Sequence, residues 1–391
     1  MTGQHQTDRP LNVAVLAHCR HPIAAPFMGG MEAHAHHLVH ALQARGHRVT
    51  LVAAGDSRVT VPLLPLMDRH YDRDFPWHAF HGTSRLNTHL DQHHAEALAT
   101  LSGMGFDVIH NNTLHRYPPR QARRARVPMV TSLHVPPFDA LRRAVCDSVA
   151  PWHPVTGCSD RHLAAYWPDG VPDDAHVVPN GIDLAQWPFC PQGDGSAVWA
   201  GRITPNKAPH LAIAAARAAG VALTLFGAIE DGDYFDARIR PVLSGNIRFG
   251  GHLPARALAA EYGRASAMLF TPQWDEPFGL SAIEAMACGT PVAAIRMGAV
   301  DEVLGTTGRY AAPDGTGLAH ALVQAMAVPR HLPRQRVETR FSLDRMIAGY
   351  ERLYHSAITA RDAPAPEVEF ALIELPARLR PAGGLRHVGA P

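Results

Sequence analysis

The stretch TPQWDEPFGLSAIEAMACGTPVAAIRMGAVDEVL, Thr271 to Leu304, decides the fold. Pro272, Asp275 and Pro277 mark a loop, Gly279 stands at the mouth of an alanine-rich helix, and Gly289 closes that helix. A β-branched run follows Pro291, so the segment reads as loop, helix and buried strand. Glu276 and Glu284 flank seven residues on this frame. The first falls in the loop and the second about one and a half turns into the helix, so both can face a crevice above a strand end. Unpaired N–H groups at the helix start would offer that crevice to an anion.

Working outward, the same alternation recurs. Asn12–His18 is a short apolar run followed by Gly29-Gly30, a helical stretch from Met31 to Arg45 and a strand from His47 to Ala54. The glycine pair suits a backbone that must approach something closely. A helix over Ser84–Ser102, strands over Phe106–Asn111 and Pro128–His134, a helix over Phe138–Val149 and strands over Val155–Ser159 and Ala175–Pro179 continue the pattern. Beyond a Pro- and Gly-rich linker, AVWAGR (Ala197–Arg202) starts a second series. It has a helix over His210–Ala219 and strands over Ala222–Ala228, Ile247–Gly250 and Ala267–Thr271. Two α/β domains with doubly wound parallel sheets are expected, with ligands beyond the carboxyl ends of the strands.

The motifs resemble those of the retaining GT-B glycosyltransferases of family 4. The resemblance rests on EPFGLSAIEAMACGTPV, on Gly29-Gly30 in the first loop, on His134 ending a strand in TSLHVPP, on VPNGID at Val178–Asp183, and on GRITPNKA at Gly201–Ala208. It implies a GT-B fold of two Rossmann-like domains facing across a cleft. It places donor-sugar hydroxyls on Glu276, the sugar and diphosphate near the backbone of Phe278, Gly279 and Leu280, and the ribose on Glu284. Arg202 and Lys207 would contact the diphosphate, Gly29 and Gly30 would line its approach, and His134 would lie near sugar and acceptor. Ala208 departs from the glycine that usually follows the lysine. The expected domains are an acceptor-binding domain over 1–188 completed by a C-terminal helix over 341–358, a donor domain over 189–340, and a Pro/Ala-rich tail over 363–391.

Composition narrows the function classes. With 391 residues, 46% hydrophobic and 18% charged, the chain can bury two cores. A formal charge of +1 argues against a nucleic-acid partner. The cysteines at 19, 146, 158, 190 and 288 form no CxxC pair, which fits a reduced, cytoplasmic setting. MTGQHQTDRP shows no signal-peptide pattern, and Arg217 and Gly220 interrupt the most apolar window, so no membrane span is expected. Arg120, Arg123, Arg124 and Arg126 form a basic cluster that suits a solvated helix face or peripheral contact with the inner membrane face. Lys and Arg number 36 together, yet the one lysine is Lys207.

The 26 histidines raise the question of metal. His36 and His40, and His34 and His37, have chelating spacing, but no nearby carboxylate or cysteine completes a set and no DxD-like pair is present. No metal and no cofactor are therefore expected. His110 and His115 are weaker site candidates than His134. The resulting expectation is metal-independent transfer of a hexosyl unit, with retention, from a nucleotide-diphosphate sugar, a UDP-sugar as the first choice, to an unidentified acceptor. A GT-B epimerase, a pyridoxal phosphorylase and a non-catalytic nucleotide-sugar-binding protein are the alternatives. The phosphorylase would need a Schiff-base lysine, and Lys207 is already assigned to the phosphates.

Overall fold

In the computed structural model, which describes residues 9–363, every strand pairing within the two sheets is parallel. The first sheet holds β1 (Asn12–Leu16), β2 (Arg48–Ala54), β3 (Leu63–Met67), β4 (Val108–Asn111), β5 (Met129–Ser132), β6 (Val155–Gly157) and β7 (Ala175–Val177). Their order is β3-β2-β1-β4-β5-β6-β7. The second holds β8 (Ala197–Ala200), β9 (Leu223–Phe226), β10 (Ile247–Phe249), β11 (Ala267–Phe270), β12 (Val292–Ile295) and β13 (Arg309–Ala311), ordered β10-β9-β8-β11-β12-β13. Both sheets reverse winding direction between their first and fourth strands, β1/β4 and β8/β11, which opens a crevice at the carboxyl ends there. Helices cover both faces, so β4, β5, β8, β11 and β12 are buried at every residue, and β8, β11 and β12 read as unbroken apolar runs.

The alternation expected from sequence is present, with strands trimmed at their ends because they stop pairing where the loops turn toward the crevice. Arg202 thus lies two residues past β8. Among the elements without an expectation are β3, β13 and the helices Asp160–Tyr166, Leu318–Met326 and His331–Arg340. The basic cluster lies on and just after the helix Tyr117–Ala125. Arg123 and Arg126 both lie over the Trp152 ring, and Arg126 also donates to the carbonyls of Ala360 and Arg361. Among the described residues no helix is long and apolar enough to cross a membrane. The expected tail lies outside the described residues apart from Ala363.

The last helix, Leu343–Asp362, starts two residues later than expected and runs four residues further. Its Met346, Ile347, Tyr350 and Tyr354 are buried in the core of the first sheet, against Val13, Val15 and Leu38. Phe341, expected in this helix, instead ends the preceding one and packs edge-on against Phe278 at 5.3 Å. The two passages between the sheets run side by side: Ile182 N–H donates to the Phe341 carbonyl at 2.9 Å, and Leu343 N–H to the Ile182 carbonyl at 2.9 Å. Both sheets fall in one compact unit. Truncating the fully buried Tyr354 to alanine should destabilise the protein by about 3–5 kcal/mol, read as a lower urea midpoint. An unchanged midpoint would show that the helix is not anchored by this core.

Candidate active site

One cleft of about 650 Å³ lies between the two sheets, and it is lined by all ten candidate residues: Gly29, Gly30, His134, Arg202, Lys207, Glu276, Phe278, Gly279, Leu280 and Glu284. The topology explains the convergence, since each sheet delivers the loops after its central strands to the same side. Tethers cross the cleft wall. Ser159 Oγ donates to the Pro277 carbonyl at 2.9 Å, and Glu302 accepts from the backbone N–H of Asp160 and Arg161 at the start of a first-domain helix.

On the second-domain side, the helix Leu280–Ala287 begins without a side-chain cap; its Ala282 N–H turns back to the Gly279 carbonyl at 3.1 Å, which leaves the N–H groups of Leu280 and Ser281, both on the cleft wall, for a ligand. Its N-cap, Gly279, takes φ 96°, and a Cβ there would lie 2.9 Å from the Phe270 ring. Across the cleft, a Cβ on Gly30 would come within 2.8 Å of Leu280 Cδ1, so the glycine pair is the close approach that the sequence suggested. Gly29 itself is extended and needs no special backbone freedom. Ala208, where the motif usually has glycine, takes the left-handed φ of 47°. The loop geometry is therefore kept, at a cost of roughly 1–2 kcal/mol.

Both cations are held by carboxylates. Lys207 Nζ lies 2.5 Å from Glu276 Oε2 and 4.8 Å from the centre of the Trp274 ring, and Trp274 Nε1 donates to the same oxygen at 2.7 Å. Glu276 is thus buried yet doubly satisfied. Arg202 Nη1 pairs with Glu230 Oε2, and Arg20 Nη2 reaches Glu230 Oε1 at 3.0 Å from the first domain. Burial alone would raise the Glu230 carboxyl, but Arg202 and Arg20 outweigh it and hold it below its ordinary value. Glu284 lacks such help. Burial pushes its carboxyl up to about 8, which favours the protonated form at neutral pH.

His134 Nε2 donates to Asn112 Oδ1 at 2.8 Å, which leaves Nδ1 as the acceptor nitrogen. Burial and the neighbouring His34 ring, 4.5 Å away between centroids, hold the imidazole well below its usual pKa. The same Asn112 oxygen accepts from His110 Nε2 at 3.2 Å, and Tyr354 donates to His110 Nδ1 at 2.6 Å. His110 therefore stands behind the site, outside the cleft wall. His115 does too, bonded to Asp91 at 2.9 Å and stacked on His94. His36 and His40 lie ring to ring, with His40 also donating to the His36 carbonyl at 2.7 Å. Among the described residues no three His, Cys, Asp or Glu side chains gather as a metal-ligand set.

Sequence reading missed Glu230, Arg20, Trp274 and Asn112. Trp274 was within reach, two residues before Glu276 in the same loop. Arg20 and Glu230 lie 210 positions apart and carry no local signal.

The comparisons agree with this fold. Residues 28–186 match Glycosyltransferase Family 4 and residues 190–331 match Glycosyl transferases group 1, so that the two matches together take in most of the chain. The chain is similar to a glycogen synthase of Mycobacterium tuberculosis, 29% identical over 90% of this chain and 97% of that protein. It is also similar to a phosphatidyl-myo-inositol mannosyltransferase of Mycolicibacterium smegmatis, 26% identical over 77% and 82%. Among solved structures, Anabaena Alr3699/HepE in complex with UDP-glucose shares the fold, with a TM-score of 0.69 at 18% identity over 88% of this chain and 100% of that one. This chain therefore belongs to the GT-B glycosyltransferases of family 4 and is an enzyme of glycosyl transfer.

Proposed function

We propose that the enzyme moves a hexosyl unit from a nucleotide-diphosphate sugar to an acceptor hydroxyl, with retention of anomeric configuration and without a divalent metal. The observation that carries this reading is the meeting of Arg202, Lys207 and the uncapped helix start at Leu280 in one cleft with Glu276 and Glu284. When the anomeric C–O bond breaks, negative charge builds on the departing diphosphate. Two fixed cations and a helix N-terminus can take that charge without rearranging. A single cation about 4 Å away contributes on the order of 4 kcal/mol at an effective dielectric near 20. The paired carboxylates of Glu276 and Glu230 oppose part of this, so the net contribution is smaller.

In this reading Glu276, held by Lys207 and Trp274, receives sugar hydroxyls, and Glu284 accepts the two ribose hydroxyls. The leaving phosphate takes the acceptor's proton on the face it departs from, which gives retention. His134 offers its acceptor nitrogen to a hydroxyl at the transfer site. The UDP-glucose held by the Anabaena protein of the same fold supports uridine as the base to try first.

A thermal-shift screen of UDP-, GDP- and ADP-sugars should yield at least one stabilising donor, and Glu284→Ala should abolish that shift. An undiminished shift in the variant would remove the ribose assignment. Arg202→Ala and Lys207→Ala should each lower kcat by about 10²–10³-fold with the circular dichroism unchanged, and EDTA should leave the wild-type rate as it was. Activity that vanishes with EDTA and returns with added Mg²⁺ or Mn²⁺ would overturn the metal-free mechanism.

Donor affinity should also depend on pH through Glu284. Binding favours the carboxylate, whereas the empty site holds the acid up to about pH 8, so affinity should rise with pH by at most about tenfold per unit and level off above about 8. Titration calorimetry on wild type and Glu284→Gln checks this, and the slope should be absent in the variant. An equal slope in both would assign the proton to another group.

A further inference from the structure

Building on the transfer reaction proposed above, we infer that the acceptor is a neutral, hydroxyl-rich molecule and that the first domain's wall of the cleft selects against phosphorylated acceptors. Among the described residues, Arg20 is the one Lys or Arg that this domain contributes to the cleft wall. It is already committed. Its Nε lies 3.1 Å from Asp72 Oδ1, its Nη2 lies 3.0 Å from Glu230 Oε1, and its guanidinium sits 4.7 Å above the Trp77 ring. Two carboxylates thus surround one guanidinium, whose side chain is only 13% exposed.

Donor binding does not free it. A diphosphate drawn to Arg202 would compete with Glu230 for that residue, and Glu230 would then depend on Arg20 alone. A phosphate dianion brought to this wall would lose its hydration beside an Arg20 whose charge Asp72 and Glu230 already balance. Burying an anion without a partner costs several kcal/mol.

The other polar groups on the wall suit hydroxyls. His18, His21 and His134 are kept neutral by desolvation, His18 at about 3, His21 at about 4 and His134 well below its ordinary value. A neutral imidazole donates one hydrogen bond and accepts one, as a hydroxyl does, whereas a phosphate dianion only accepts. Phe27 and Leu114 supply apolar surface beside them for the C–H face of a ring.

The test measures nucleoside diphosphate release by the full-length protein with the donor found by thermal shift. Maltotriose and myo-inositol are compared with glucose 6-phosphate and myo-inositol 1-phosphate. The neutral compounds should raise the rate roughly tenfold or more above donor hydrolysis, and the phosphorylated ones by less than about twofold. A phosphorylated compound used as well as the neutral ones, or better, overturns the inference while leaving the transfer reaction standing. If no nucleotide sugar shifts the melting temperature, the reaction itself fails and takes this inference with it.

Asp72→Asn gives an independent arm. It removes one of the two charges on Arg20 and keeps an oxygen for the Trp77 N–H, which Asp72 Oδ1 accepts at 3.0 Å. The phosphorylated-to-neutral rate ratio should rise several-fold while the donor's thermal shift stays the same. A ratio that does not move would show that charge is not what discriminates.

Discussion

Arg202 and Lys207 stand in a cleft walled by apolar cores, and each is held there by a carboxylate. An unpartnered charge in such a place would be costly, and a long side chain without a fixed contact would be disordered. Glu276 and Glu230 meet both demands. Each carboxylate has a second donor besides its cation, Trp274 Nε1 in one case and Arg20 in the other, so neither pair depends on one long side chain finding another. The carboxylate that steadies Arg202 also pairs with Arg20 on the opposite wall.

The fold serves this arrangement at a distance. The helix Leu343–Asp362 returns from the second sheet to the core of the first, where its Tyr354 hydroxyl sets the tautomer of His110. His110 and His134 then share the Asn112 oxygen, so the protonated nitrogen of His134 is fixed by a chain of buried groups that ends on the last helix. His34, His134 and His110 lie close together and are all shifted toward the neutral form by burial. In such surroundings a histidine acts through hydrogen bonding, and the abundance of histidine in this chain does not bring positive charge to the site.

How much of this was legible in the sequence depended on whether the controlling interaction was local. The loop and helix around Glu276 and Glu284 could be read because turn residues, alanine content and the next apolar run all lie within one short segment. Arg202 and Lys207 followed from the parallel strand before them, and the solitary lysine does reach the cleft. β3 escaped because Pro65 lies within it and the run LLPLM lacks alternation; it is an edge strand, where a missing donor is tolerated. The helix His331–Arg340 escaped because its polar composition shows little apolar face, and only Pro333 and Val337 are buried. Glu230 sits in a loop with acidic neighbours and looks like a solvated carboxylate until the fold brings Arg20 and Arg202 to it.

The two glutamates of the motif show how one local frame yields opposite electrostatic states. Glu276 comes before the helix, where the loop turns toward Lys207 and Trp274. Glu284 lies within the helix, so its side chain is aimed into the cleft by the helical period and has no cation beside it. Relative to the unfolded chain, a carboxyl raised from 4.5 to about 8 contributes stability that is complete below 4.5 and is lost as pH rises through about 8. Ionising Glu284 therefore costs stability as pH rises through about 8, and groups that donate hydrogen bonds to it reduce that cost. A diol does this with two O–H donors on one carboxylate. Glu284 thus has more to gain from a hydrogen-bonding diol than the already satisfied Glu276.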